Sequence, residues 1–152
     1  EFRRVLFRSR HWLDWLLAGI VLPGRDEYGN RFFTIGAGSG DSDTSFLCSG
    51  TLVSDLNRAA DYLRPSWDPV ESLAYPPALE DSIIRSLIDA DQRYADDLQY
   101  ACRPEVNPGF YNSNSYAHGL LNAVGLPGPR LPDRAPMIVP GWRTPVPRSK
   151  FQ

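Results

Sequence analysis

The chain has 152 residues, of which 42% are hydrophobic and 22% charged, a balance typical of a soluble globular protein with enough length for one domain and a real core. Sixteen basic against eighteen acidic residues give a net charge of −2, and a mildly acidic chain argues against a nucleic-acid or anionic-membrane partner. The longest apolar run, residues 12–22, is interrupted by Asp14 and is too short to span a bilayer.

Residues 1–9, Glu-Phe-Arg-Arg-Val-Leu-Phe-Arg-Ser, read as the translation of a common short-read library adapter, GAG TTC AGA CGT GTG CTC TTC CGA TCT. On that reading they should make few core contacts, and an ordered strand there would weigh against it. Setting them aside removes three arginines and one glutamate, moves the net charge from −2 to −4, and takes away the one basic arm in the chain. It also implies that the frame opens inside a gene, so upstream domains and a signal peptide are lost to view and localisation cannot be read from this N-terminus.

Residues 11–22 are apolar, end at Pro23-Gly24, and fit either a strand or a short helix. Tyr28-Gly29-Asn30 reads as a turn leading into Arg31-Phe32-Phe33-Thr34-Ile35, whose aromatic and β-branched residues favour a strand, so the two segments suggest a hairpin. The Gly-rich residues 36–43 are expected to be a loop, followed by a strand over residues 46–53. Four prolines within residues 64–77 mark an irregular connection.

The best helix is expected from about Ala78 to Tyr100, with Leu79, Ile83, Ile84, Leu87, Ile88, Tyr94, Ala95 and Leu98 on one face and Glu80 and Asp81 in the first turn. Asp89, Asp91, Asp96 and Asp97 are taken as a solvated face. A second helix should begin near Asn114 or Ser115, both good N-caps, bury Ala117, Leu120, Leu121 and Val124, and stop at Gly125. Residues 126–152 contain seven prolines and should cross the surface in extended form, pinned by Met137, Ile138, Val139 and Trp142, without regular structure.

Cys48 and Cys102 permit one disulfide but do not demand it, and two buried thiols are the favoured reading. Neither lies in a CxxC or Cys/His pattern, so no metal and no cofactor is expected. The Gly36–Gly40 stretch lacks the Gly-Lys-Ser/Thr ending and the following helix of a phosphate-binding loop. Gly40-Asp41-Ser42 resembles the nucleophile block of GDS-type esterases, but the late Asp-x-x-His block of those enzymes is missing here.

Tyr111-Asn112-Ser113-Asn114-Ser115-Tyr116, ahead of Gly119-Leu120-Leu121-Asn122-Ala123-Val124-Gly125, carries more information. Free N–H groups and the helix dipole stabilise an anion at a helix start, which is where papain-like enzymes set their nucleophile. The segment resembles circularly permuted NlpC-like (papain-like) peptidases, in which a histidine strand precedes an Asn-Cys helix start. It is still more similar to an uncharacterised bacterial domain with a "YNSNSY…GLLNAAG" segment, found at the C-termini of RHS-type and other secreted modular proteins. Ile35-Gly36-Ala37-Gly38, Leu52-Val53-Ser54-Asp55-Leu56-Asn57-Arg58 and Pro140-Gly141-Trp142-Arg143-Thr144-Pro145-Val146-Pro147 share that likeness.

Where the permuted peptidases have cysteine, this chain has Ser115, or Ser113 in another register, and a hydroxyl is far harder to ionise than a thiol. The resemblance implies Ser115 as nucleophile and His11, the histidine ahead of it, as base. Asn112, Ser113, Asn114 and His118 would be binding residues. The expected architecture is α+β: a small, mainly antiparallel sheet packed on two helices, spanning residues 10–125, with the Pro-rich residues 126–152 wrapped around it. Two functions compete. One is a terminal module of a larger bacterial secreted or surface protein, its hydrolase site degenerate, binding an unknown peptide or protein through a groove at the helix start, whose free N–H groups are expected to face outward. The other is an active amide or ester hydrolase using Ser115 and His11.

Overall fold

A computed structural model describes residues 5–8, 24–25, 31–40, 48–58, 76–128 and 139–152. In chain order these form β1 (Val5–Arg8), β2 (Gly24–Arg25), β3 (Arg31–Ser39), β4 (Thr51–Leu56), α1 (Glu80–Arg93), β5 (Leu98–Tyr100), β6 (Phe110–Tyr111) and α2 (Ser113–Ala123). Short 3-10 turns lie at Pro77–Leu79, Pro104–Val106 and Arg148–Phe151. The sheet order is β1-β3-β4-β5-β6, with β2 on β3, and every pairing is antiparallel except β5 with β6. The chain is therefore an α+β protein with a small, mainly antiparallel sheet packed on two helices.

The centre of the sheet is β3. Phe33, Ile35 and Ala37 alternate along it, all fully buried, and join Leu52 of β4 in the core that the helices cover. The strand runs on through Gly36-Ala37-Gly38-Ser39, where a loop was expected, because these residues pair with Leu52–Asp55 of β4 in regular register. Those tertiary hydrogen bonds outweigh the low strand propensity of glycine. Gly38 has a packing reason as well: a Cβ there would stand 2.3 Å from the Arg58 guanidinium, which lies across the strand.

Two side chains continue the sheet where strands stop. Asn57, at φ 57°, donates its N–H to Thr34 O (2.9 Å) and accepts from Thr34 N through Oδ1 (3.1 Å). Asp96, at φ 51°, accepts from Ser54 N at 2.7 Å. Asn and Asp tolerate the left-handed region and offer a short acceptor, so each can end a ladder without orphaning a backbone group.

On its other side β3 pairs with β1, in the register Val5↔Ile35 to Arg8↔Phe32. Residues 5–8 are thus a strand, against the expectation of no packed structure for residues 1–9. Ordered pairing weighs against a foreign origin, with one physical counterweight: an open sheet edge takes up any β-forming segment, whatever encodes it.

The first helix is shorter than its apolar periodicity suggested, ending at Arg93. Tyr94 is extended, and its hydroxyl donates to Leu52 O (2.9 Å), turning the chain back onto β4. Leu98–Tyr100 then forms β5 instead of a last helical turn. Positions 94 and 98 are four apart, a spacing that keeps one face in a helix and also in a strand, so the stripe carried no sign of the break. Ile84, Leu87, Ile88 and Tyr94 are buried as expected, whereas Leu79 is 49% exposed and Ala95 lies outside the core.

The second helix is capped by Asn112, two residues before Asn114 and three before Ser115. It buries Ala117, Leu120 and Leu121, and Val124 packs against the core. Gly125 ends it at φ 77°, with Leu126 N donating to Leu121 O at 2.9 Å, a Schellman closure. Tyr94 of the α1 exit, Tyr116 of α2 and Phe151 meet in one aromatic cluster with ring centroids 5.1–5.6 Å apart.

Val139, Trp142, Val146 and Phe151 are buried in the same core, and Val146 N donates to Ser115 O at 3.0 Å. A Cβ on Gly119 would fall 2.5 Å from Val146 O, so glycine lets residues 139–146 lie directly on α2. The 3-10 turn at Arg148–Phe151 adds regular structure where none was expected.

Cys48 and Cys102 form a disulfide, Cα–Cα 5.1 Å, in place of the two buried thiols favoured from sequence. The pairing of Gly50 and Tyr100 backbones at 2.7 Å brings the two ends together, a juxtaposition invisible in a separation of 54 residues. Several expectations lie outside the described residues: the 11–22 segment with His11, the 28–30 turn, residues 41–47, residues 64–75, and Met137 with Ile138.

Candidate functional site

Asn112 organises the start of α2 with both ends of its side-chain amide. Its Oδ1 accepts from Asn114 N and Ser115 N, each at 3.0 Å, and its Nδ2 donates to Cys102 O (3.2 Å) and Pro140 O (2.9 Å). Asn114 Nδ2 donates to the same Pro140 carbonyl at 2.7 Å. Ser115 Oγ donates to Gly141 O at 3.0 Å, with Asn112 Oδ1 a longer alternative acceptor at 3.3 Å.

His118 continues the series. Its Nδ1 lies 2.6 Å from Trp142 O, and since a carbonyl can only accept, Nδ1 carries the proton and Nε2 of the neutral ring is the acceptor. The imidazole also stacks on the Trp142 indole, centroids 4.6 Å apart and planes 13° from parallel. From the other side, Gly141 N–H donates to the Glu105 carboxylate. Three successive carbonyls, Pro140, Gly141 and Trp142, are therefore each held by α2 or its cap.

Gly141 makes this fit possible. Its φ is 83°, and a Cβ would sit 2.1 Å from Asn112 Oδ1 and 2.6 Å from Ser115 Oγ. The result is a closed site: Asn112, Ser113, Asn114 and Ser115 are 4%, 4%, 2% and 0% exposed. Reading the capping loop from sequence left the helix start facing outward. Instead, Asn112 satisfies its N–H groups and residues 139–142 cover it.

These positions define what the residues can do. The Ser115 hydroxyl donates to a carbonyl, a contact that positions peptide main chain. Ser115 and His118 share no hydrogen bond among the described residues; each serves a neighbouring carbonyl. The pairing of Ser115 with His11 lies outside the described residues. No three of His, Cys, Asp and Glu converge to hold a metal ion among the described residues.

A second polar cluster lies under the same helix. The Tyr116 hydroxyl donates to Asp91 Oδ1, and Ser54 adds a hydrogen bond to Asp91. Asp91 is only 8% exposed, and burial, with Asp96 and Asp55 nearby, raises its pKa above 3.8 against the opposing pull of those two hydrogen bonds. Burial likewise raises the Tyr94 and Tyr116 phenols, with Asp96 and Asp91 respectively adding to the effect.

Of the acidic residues taken as a solvated face, Asp89 is exposed and Asp97 pairs with Lys150 at 2.6 Å. Asp91 and Asp96 are structural instead. The signal for Asp91 was present: it falls seven residues after Ile84 and three after Ile88, within the apolar stripe. A carboxylate in such a stripe needs a buried partner, and Tyr116 supplies it.

Comparison with protein-family models, with curated proteins and with solved structures finds no match to this chain. The class is accordingly the one its own architecture defines: an α+β domain with a covered helix start.

Proposed function

We propose that the chain is a terminal module of a larger bacterial secreted or surface protein. In this reading its permuted papain-like helix start binds peptide main chain and no longer hydrolyses it. The observation that carries this reading is the use made of the key side chains. Asn112, Asn114, Ser115 and His118 all donate to the carbonyls of three successive residues. The Cys48–Cys102 disulfide supports an oxidising setting such as the cell exterior. Among the described residues no helix is long and apolar enough to cross a membrane. The partner is a peptide or protein segment, without a cofactor.

The test is an activity screen against peptide and ester substrates, run with wild type, Ser115→Ala and His11→Ala. The expected result is no turnover above background in any of them, with Ser115→Ala losing stability instead. Turnover that disappears in both variants would restore the hydrolase reading.

A further inference from the structure

We infer that the first turns of α2 form a recognition site for a Pro-Gly-aromatic turn, and that residues 140–142, closed by Trp142 N donating to Val139 O at 3.3 Å, are that ligand held in cis. This rests on the peptide-binding reading above and names its ligand.

Four features of the contact are those of a ligand site. Recognition is of main chain: the three carbonyls of residues 140–142 are taken in order by Asn112 with Asn114, by Ser115 and by His118, and the Gly141 N–H by Glu105. Such a site reads the main chain of a peptide turn whatever its flanking sequence.

Selectivity enters at the middle residue. A side chain there would collide with Asn112 Oδ1 at 2.1 Å and with Ser115 Oγ at 2.6 Å, so glycine alone is admitted. The next residue is selected by His118, which stacks on the Trp142 ring at 4.6 Å. The residue before glycine presents a carbonyl to two amide donors, and proline limits the conformations it must give up on binding.

The fourth feature is an acceptor left over. Asn114 is 2% exposed and its Oδ1 has no hydrogen-bond partner among the described residues. A buried acceptor without a donor is a cost in the covered state, so the cis segment is not the best ligand the site can hold. A peptide from another polypeptide with a donor at that point competes with it. The cis segment then acts as a built-in competitor, keeping the site closed until a better ligand arrives.

The experiment uses full-length chain carrying Gly141→Ala, which forces the cis segment off the site. A fluorescent synthetic peptide of sequence Ile-Val-Pro-Gly-Trp-Arg-Thr is titrated in and followed by anisotropy. Saturable binding to the variant is expected, at least about tenfold tighter than to wild type, where the site is filled. It should also be about tenfold tighter than binding of the same peptide with alanine in place of glycine. A folded variant that binds neither peptide, or both alike, overturns the proposal. Should Gly141→Ala fail to fold, Trp142→Ala takes its place by loosening the same segment. If neither variant folds, residues 140–142 are an integral core element and the proposal is wrong. Failure here leaves the substrate screen untouched, and turnover in that screen leaves this binding result standing, so the two readings fail separately.

Discussion

A methyl group on Gly141 would enter the space of Asn112 Oδ1 and would sit on a backbone at φ 83°, a region costly for L side chains. Gly141→Ala is therefore expected to lower stability by about 2 kcal/mol or more in urea unfolding, well beyond a surface glycine change. Ser115→Ala removes one of three donors to the Gly141 carbonyl, which keeps Thr144 N and Thr144 Oγ1, each at 3.1 Å, so the expected loss is that of a single hydrogen bond, about 0.5–1.5 kcal/mol. Asp91 makes a prediction of opposite sign. Its folded pKa is raised, so its contribution is fully present below the unfolded value of about 3.8 and is lost as pH rises through the folded value. Asp91→Asn keeps an acceptor for the Tyr116 hydroxyl and removes the buried charge. The variant should match wild type near pH 3 and equal or exceed it at pH 7. A variant markedly less stable at pH 7 would show that the ionised carboxylate is needed.

The helices were legible because each buries one stripe. Leu87 lies at the centre of the α1 stripe and is fully buried, so Leu87→Ala should cost about 2–5 kcal/mol, and a change below about 0.5 kcal/mol would mean the buried face is misplaced. The stop at Gly125 was equally legible, since a glycine after an apolar stripe is a common helix end. The starts and short strands were not. Asn112, Asn114 and Ser115 all have side chains able to cap, and only the route of residues 139–142 over the helix start decides among them. Asn112→Asp separates the two uses of that residue: the Oδ1 cap is kept, while the donations to Cys102 O and Pro140 O are lost. It should be more stable than Asn112→Ala and less stable than wild type, measured by thermal unfolding. β5 and β6, three and two residues long, carry too little pattern to be seen before their partners are known.

At the scale of the molecule, the disulfide ties the β3–β4 connection to the segment after β5 across 54 residues. By chain-entropy reasoning its removal costs about 4 kcal/mol as an upper figure, so reduction, or Cys48→Ser with Cys102→Ser, should move the urea midpoint sharply down. The same double variant weakens the anchorage of Cys102, whose carbonyl Asn112 holds. High pH attacks a different part of the core. Tyr94 and Tyr116 have pKa values raised above 10.0, so their contribution is present below pH 10 and is lost as pH rises further. Phenolate absorbance should therefore appear together with loss of helical circular dichroism, in one transition. Early, separate titration of these rings would show that the cluster of Tyr94, Tyr116 and Phe151 is open to water.

Local chemistry, read from sequence alone, determined the α+β class, the buried faces of α1 and α2, the strand around Phe33 and Ile35, and the polar, capped start of α2 at residues 112–115. Each of these depends on residues close together in the chain, whose spacing records which side is buried. Only the tertiary structure decided that Gly36–Ser39 are strand, that α1 ends at Arg93, that Cys48 meets Cys102, and that Tyr116 is the partner of Asp91. It also decided the state of the site. Whether a capped helix start faces solvent or lies under another segment depends on what packs over it, and here that segment comes from 26 residues further along the chain.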